Sequence, residues 1–169
     1  MRGKNYRQPK GQPYARADYI HGAPPPKISK FVMGDTKGSF EYRVSLKVKS
    51  DVQIRHNALE AARVAVNKSL LKDLGESGYM IKVKVFPHVV LRENKMIATA
   101  GADRLQEGMR RAFGKPIGRA ARVKADSPVI EVYVNEAGVQ YAKNALKTAS
   151  SKIPLPCKIE VEKIESVKS

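Results

Sequence analysis

The feature that most constrains the fold is a long basic connection, Gly101–Pro116, between two segments with strand-like patterns. Its sequence is GADRLQEGMRRAFGKP, and the flanking patterns cover residues 79–91 and 119–134. A connection longer than ~12–15 residues in a compact domain is usually functional or disordered. We interpret it as a functional loop at about residues 98–118; a short exposed helix over Ala102–Phe113 is the alternative.

Seven basic residues lie in this loop or directly after it. Guanidinium groups bind phosphate oxygens in bidentate geometry, and the interspersed glycines let the backbone approach a ligand closely. The pattern therefore predicts contacts with a phosphate-bearing partner through Arg104, Arg110, Arg111, Lys115, Arg119, Arg122 and Lys124.

The net charge of +16, from 32 basic and 16 acidic residues, indicates a polyanionic partner. The excess is unevenly distributed, because residues 1–30 carry a net charge of +6, residues 101–124 carry +5, and residues 125–169 are neutral. A charge that served solubility alone would be spread more evenly. We expect nucleic acid as the partner, and less readily an anionic membrane surface.

Residues 1–36 are predicted to form an extended basic arm. Residues 1–30 show neither helical nor strand periodicity and contain five prolines, which remove backbone donors and favour extended geometry. Tyrosines interleave with cations there, so the rings could stack on unpaired bases while the cations bind phosphates; a solubilising tail is the alternative.

We expect residues 1–30 to be mobile in the free protein, with packing beginning near Phe40. The predicted RNA-binding residues of the arm are Arg2, Lys4, Tyr6, Arg7, Lys10, Tyr14, Arg16, His21 and Lys27.

Residues 37–169 are predicted to form one α+β domain, an antiparallel sheet sandwich with two packed helices. Alternating apolar and polar residues mark strands at about 40–48, 79–85, 119–123, 129–134 and 157–162. Pro87 interrupts the second of these strands, which resumes at 89–91. Apolar residues at helical spacing predict one helix from Ile54 to Leu70, which Gly75 ends. They predict a second helix from Asn135, the expected N-cap, to about Ala149.

The sequence contains no convincing motif for catalysis or metal binding. The segment Gly108–Pro116 differs from a P-loop, because five residues rather than four precede the Gly-Lys pair and proline replaces the magnesium-binding Ser or Thr. The three histidines lack the spacing of a metal site, and Cys157 is the single cysteine. Asp103 and Glu107 are more simply partners of arginines than a catalytic dyad. We predict no catalytic residue, no metal and no cofactor.

The N-terminus lacks the apolar segment of a secretory signal, and no apolar run approaches the ~18 residues of a membrane span. A single cysteine suits the reducing cytoplasm. We therefore expect a soluble cytoplasmic protein.

Several blocks of the sequence resemble one known family. The central blocks are QIRHNALEAARVAVNK at residues 53–68, VVLRENKM at 89–96 and GADRLQEGMRRAFGKPIGRAARV at 101–123. The arm adds NYRQPKGQPY at 5–14 and DYIHGAPPPKI at 18–28. Together they resemble a universal large-subunit ribosomal protein family in its archaeal and eukaryotic "L ten e" branch, the counterpart of bacterial "L sixteen". The similarity covers most of residues 5–134.

This resemblance implies a fold and a location in the ribosome. The fold would be an α/β-hammerhead-type sandwich, bound as a monomer to large-subunit ribosomal RNA and neighbouring ribosomal proteins beneath the aminoacyl-tRNA site, with no membrane contact. The central loop would reach toward the peptidyl transferase centre, near the tRNA acceptor end. The implied roles are late subunit maturation and positioning of aminoacyl-tRNA, with no catalysis by the protein. The loop positions implied by the resemblance are Arg104, Gln106, Arg110, Arg111, Lys115 and Pro116.

Two rival functions are weaker. An RNA-modifying or nucleotide-using enzyme is disfavoured, because the sequence shows no catalytic dyad, no metal site and no P-loop serine. A peripheral membrane protein would need a Trp, Phe or Leu insertion face, which the arm does not have.

Overall fold

The computed structural model of the protein describes residues 11–12, 19–94, 109–110 and 112–164. Ten of the predicted contact residues lie outside these ranges: Arg2, Lys4, Tyr6, Arg7, Lys10, Tyr14, Arg16, Arg104, Gln106 and Arg111. The described elements, in chain order, are β1 (Val32–Gly34), β2 (Tyr42–Val48), β3 (Val52–Arg55), α1 (His56–Leu74), β4 (Tyr79–Val83), β5 (Val89–Glu93), β6 (Lys115–Val123), β7 (Pro128–Val134), α2 (Val139–Ser150) and β8 (Cys157–Lys163). The chain is therefore α+β, as predicted.

A five-stranded antiparallel sheet in the order β1-β4-β7-β2-β8 forms the larger layer. The central strand β2 shows why it forms. Val44, Leu46 and Val48 are fully buried on one face, whereas on the other face Arg43 and Lys47 are half-buried and the small polar Ser45 between them is buried. Since successive side chains of a strand point to opposite faces, this alternation gives the sheet one apolar face and one charged face.

The two helices pack against each other and share the core with the apolar face. Ala62 of α1 and Ala142 and Ala145 of α2 are fully buried, and such small side chains let two helices approach closely. Gly75 ends α1 as predicted: its φ is +71°, and its N–H donates to Leu71 O at 3.2 Å. Within the described residues, no helix combines the length and the apolarity needed to cross a membrane.

The start of the second helix differs from our prediction. Asn135 precedes a short 3-10 turn, Glu136–Gly138, and α2 begins only at Val139. No side chain among the described residues caps either element. The glycine at position 138 is buried, with the side chains of Val134 and Leu74 around its Cα. This packing favours a tight turn at the place where the sequence suggested a capped helix.

A second, three-stranded sheet has the order β3-β6-β5. Its edge strand β3 corrects our helix prediction, because Ile54 lies on this strand opposite Ala121 and α1 begins only at His56. Arg55 is the last residue of β3 and the N-cap of α1, and its backbone is extended, with φ −67° and ψ 149°. Four residues are too few to show a clear period, so the apolar position at Ile54 was consistent with either element.

The strand β6 also begins earlier than predicted, at Lys115 rather than Arg119. Lys115 and Pro116 therefore lie on a strand and not in a loop. Proline is tolerated there because β3 pairs only with residues 120–123, so the first half of β6 has β5 as its single partner. The pairing with β5 also shifts register between Leu91 and Arg92.

Packing begins well before Phe40, so our expectation for the start of the packed chain was wrong. Ile28 is 1% exposed and belongs to the main core, and Ile20 is also buried. β1 pairs with β4, and the N–H of Asp35 donates to Tyr79 O at 2.9 Å. Single isoleucines separated by prolines produce no periodic pattern, and for this reason sequence analysis missed them.

Candidate nucleic-acid interface

The proline segment of the predicted arm is tied to the domain by two hydrogen bonds. The N–H of Lys27 donates to His56 Nδ1 at 3.0 Å, and Arg119 Nε donates to Pro24 O at 2.9 Å. We call residues 24–27 together with His56 and Arg119 the arm root. These contacts join the proline segment to the first residue of α1 and to the middle of β6.

The arm root is strongly electropositive around a buried histidine. His56 is 4% exposed, and its pKa is lowered by burial first and then by the positive charges of Arg55, Lys27 and Arg119. A neutral imidazole that accepts at Nδ1 carries its proton on Nε2. Sequence analysis assigned no function to His56. The available signal was its position at the start of a helix, beside Arg55.

The two arginines of β6 have a contact that sequence analysis did not predict. Arg119 binds Pro24 O, and Arg122 Nη1 donates to Gly11 O at 2.7 Å. Both therefore hold backbone carbonyls of the N-terminal segment. A guanidinium has five N–H donors, so each arginine keeps further donors for a second acceptor. Lys124, which follows β6, is exposed.

The N-terminus of α1 opens onto a cavity of about 280 Å³. It is lined by Arg55, Asn57, Ala58 and residues 151–154, which include Lys152. Arg55 Nε and Asn57 Oδ1 are buried and have no hydrogen-bond partner among the described residues. The first turn of α1 has no acidic residue, so nothing there offsets the positive end of the helix dipole. Sequence analysis missed this surface, although a basic residue at a helix start is itself unusual.

Further predicted cations lie at the end of the small sheet that is opposite the arm root, on β6 or just before it. Arg110 and Lys115 are exposed, and Pro116 is half-buried opposite Arg92. The guanidinium carbon of Arg92 lies 3.5 Å from the ring centroid of Phe113. Neither Arg92 nor Phe113 was among the predicted contact residues.

On the charged face of the large sheet, cations pair with carboxylates. Arg43 pairs with Glu162, Lys47 with Glu160, and Lys158 with Asp126 at 2.6 Å and Glu160 at 2.8 Å. Hydrogen bonds from Lys158 and Lys47 lower the pKa of Glu160 to about 2. The cations of this face are therefore largely neutralised by neighbouring carboxylates.

The predicted contact residues that the structure describes differ from these cations. Among the described residues, no ion pair includes Lys27, Arg110, Lys115, Arg119, Arg122 or Lys124. The structure brings Lys27 and Arg119 together at the arm root, and places Arg110 and Lys115 at the opposite end of β6. His21 and Tyr19 are exposed on the segment that precedes the arm root. In the described part of the chain, no group of His, Cys, Asp or Glu side chains is arranged to hold a metal ion.

Fold and charge together define a basic α+β protein of the nucleic-acid-binding class. A family model described as "Ribosomal protein L16p/L10e" matches residues 9–160, and the chain belongs to this family of ribosomal proteins. It is accordingly a structural protein rather than an enzyme. The family resemblance in the sequence is confirmed.

Archaeal relatives match almost the whole chain. A protein of Hyperthermus butylicus is 58% identical over 151 residues, which are 89% of this chain and 84% of the relative. A protein of Thermofilum pendens is 51% identical over 163 residues, 96% of this chain and 97% of the relative. A protein of Methanococcus maripaludis is 46% identical over 158 residues, 94% and 91% of the two chains. All three carry the name large ribosomal subunit protein uL16.

Proposed function

We propose that this protein is a component of the large ribosomal subunit in the cytoplasm, where it binds ribosomal RNA. The observation that carries the proposal is the family match over residues 9–160, together with relatives that are named for the large subunit. The charge distribution supports it, because the cations of the arm root and β6 have no acidic partner among the described residues. Those cations are the groups that RNA phosphates would neutralise.

The arm root and the α1 cavity form the RNA contact in this proposal. Arg119 and Arg122 hold the N-terminal segment through its carbonyls and keep N–H donors for phosphates. Arg55 and Lys152 provide cations at the positive end of α1, a combination that suits a phosphate oxygen. The predicted arm residues would extend this surface along the RNA, with tyrosines on unpaired bases.

The loop between β5 and β6 has a different task in this proposal. It helps to shape the aminoacyl-tRNA site near the peptidyl transferase centre, and it contributes to late subunit maturation. The support is the family resemblance of residues 101–123 and the exposed cations Arg110 and Lys115, which stand at the loop's second end. The contact residues we propose for the tRNA acceptor end are Arg104, Gln106, Arg110, Arg111, Lys115 and Pro116.

The test uses archaeal large subunits from which their own uL16 has been removed. The purified chain is added, and occupancy and the rate of aminoacyl-tRNA accommodation are measured on the same subunits. We expect about one copy per depleted subunit and little uptake by undepleted subunits, because their site is filled. Equal uptake by both would show adhesion through charge alone and would contradict the proposal.

The loop's task is tested by the double variant Arg110→Ala with Arg111→Ala. We expect full occupancy, since the arm root is intact, and slower accommodation, since cations near the acceptor end are lost. The control is Lys143→Ala with Lys147→Ala, two exposed lysines of α2. Exposed substitutions of this kind usually change stability by less than ~0.5 kcal/mol. Unchanged accommodation at full occupancy would leave the loop without a part in tRNA handling.

A further inference from the structure

Phe113 combines high exposure with a cation on one side of its ring. The ring stands under the Arg92 guanidinium, 3.5 Å from its carbon, yet the side chain is 61% exposed. An aromatic ring is costly to leave in water, and a single cation covers only one of its faces. Among the described residues, no second ring or cation is stacked on Phe113, so its opposite face can take a flat partner.

The backbone around Phe113 holds the ring in this position. Gly114 has a φ of +80°, and a Cβ at this glycine would stand 2.7 Å from the backbone N of Asn94 and from the backbone C of Glu93. Only glycine allows such an approach between the two chain segments. The register shift between Leu91 and Arg92 occurs beside the same contact, and bulges of this kind re-aim side chains. The backbone contact between residues 93–94 and Gly114 thus brings the segment of Phe113 next to that of Arg92.

The surroundings of the pair favour an anionic partner with flat groups. Arg110 and Lys115, which flank Phe113 in the sequence, are exposed. Arg92 is a third cation of this region, and Glu93, opposite Lys115, is its one described carboxylate. Single-stranded nucleic acid meets both requirements, because its bases present π faces and its phosphates present charge. A purely apolar protein partner would gain nothing from the cation on the ring or from the exposed cations close to it in the sequence.

We propose that Phe113, supported from behind by Arg92, is a stacking platform for one unpaired RNA base. The proposal rests on the proposed function, since RNA is taken to be the partner there. It adds a binding residue of a kind that the charge pattern did not identify. Base stacking on an aromatic side chain is sequence-tolerant, so the platform would accept any of the four bases.

The chain contains no tryptophan, which permits a local optical test. In the variant Phe113→Trp, the new indole is the single tryptophan and its fluorescence is quenched by a stacked base. The probes are a short oligoadenylate and an oligomer of the same length whose residues are abasic, so the phosphate number is constant. We expect strong quenching by oligoadenylate and little by the abasic oligomer. Binding of both is followed separately through a dye on the oligomer.

Two further variants make the result specific. Phe86→Trp places an indole at a ring that is 52% exposed but has Phe31 as its neighbour, with 5.6 Å between ring centroids, and no cation over it among the described residues. It should show little quenching. Phe113→Leu keeps the charge and should weaken oligoadenylate binding about tenfold while leaving abasic binding unchanged.

The outcomes separate this proposal from the one on which it rests. If both oligomers bind with strong salt dependence and the indole of the Phe113→Trp variant is not quenched, RNA binding stands and the platform is wrong. Equal quenching in the Phe86→Trp and Phe113→Trp variants would likewise overturn a specific platform. If neither oligomer binds, the proposed function itself fails.

Discussion

At the scale of single residues, His56 connects the N-terminal segment with the domain. It is the first residue of α1, it is buried, and it accepts the N–H of Lys27. An imidazolium could not accept at Nδ1, so protonation would break this bond and place a charge among Arg55, Lys27 and Arg119. The contact therefore depends on a neutral histidine.

This dependence predicts a loss of stability in mild acid. The pKa of His56 is lowered in the folded chain from its ordinary value of 6.5. Between the folded and the ordinary value the unfolded state binds more protons, so the free energy of unfolding falls as the pH drops below about 6.5. Urea unfolding of the wild type should therefore show a lower free energy at about pH 5.5 than at about pH 7.5.

The matched variant for this prediction is His56→Asn, which keeps a short polar acceptor but does not titrate. Its free energy of unfolding should change less across the same pH interval. Identical pH dependence in the wild type and the variant would show that other groups cause the loss.

At the scale of elements, the segment 28–34 behaves as part of the domain. Ile28 fills a core position, and the Val83 N–H donates to Phe31 O at 2.8 Å as β1 joins the sheet. Gly34 has a φ of +85°, and a Cβ there would stand 2.2 Å from Tyr79 O. The backbones of β1 and β4 therefore lie so close at this point that only glycine fits. The charged arm is therefore anchored by apolar packing just after its prolines.

Shortening the buried side chain tests this anchor. Ile28→Ala should lower the free energy of unfolding by about 2–4 kcal/mol, because a fully buried isoleucine leaves a cavity. Val32→Ala, at a position 44% exposed on β1, should cost less than about 1 kcal/mol. Equal small losses, measured by urea unfolding, would mean that residues 28–34 detach from the domain in solution.

Particular elements show how much of this was predictable from the sequence. β2, α1 and β8 follow from clear periods, because each has apolar residues at every second position or along one helical stripe. β3 and β1 do not, since four and three residues are too few for a period to emerge. The arm-root bonds were also beyond sequence analysis, because Lys27–His56 and Arg119–Pro24 join residues 29 and 95 positions apart.

At the scale of the whole molecule, the charges divide into two groups. On the large sheet, Arg43, Lys47 and Lys158 meet carboxylates, so that face is close to neutral. At the arm root and on β6, the cations meet backbone carbonyls or solvent. Residues 125–169 have no net charge, and the excess of +16 lies entirely before them. The cations of the large sheet thus form ion pairs within the fold, and those of the arm root and β6 are the ones that we propose to bind RNA.

The most direct test of this account is the salt dependence of binding to large-subunit ribosomal RNA. Lys27 and Lys124 have exposed side chains without acidic partners among the described residues, so Lys27→Gln with Lys124→Gln removes two charges and no described side-chain contact. If each neutralises one phosphate, the slope of log affinity against log salt should become shallower by about 1.4–1.8. The control Lys143→Gln with Lys147→Gln removes the same charge from α2 and should leave the slope unchanged. Equal slopes for all three proteins, or a larger change in the control, would contradict an RNA interface at the arm root and β6.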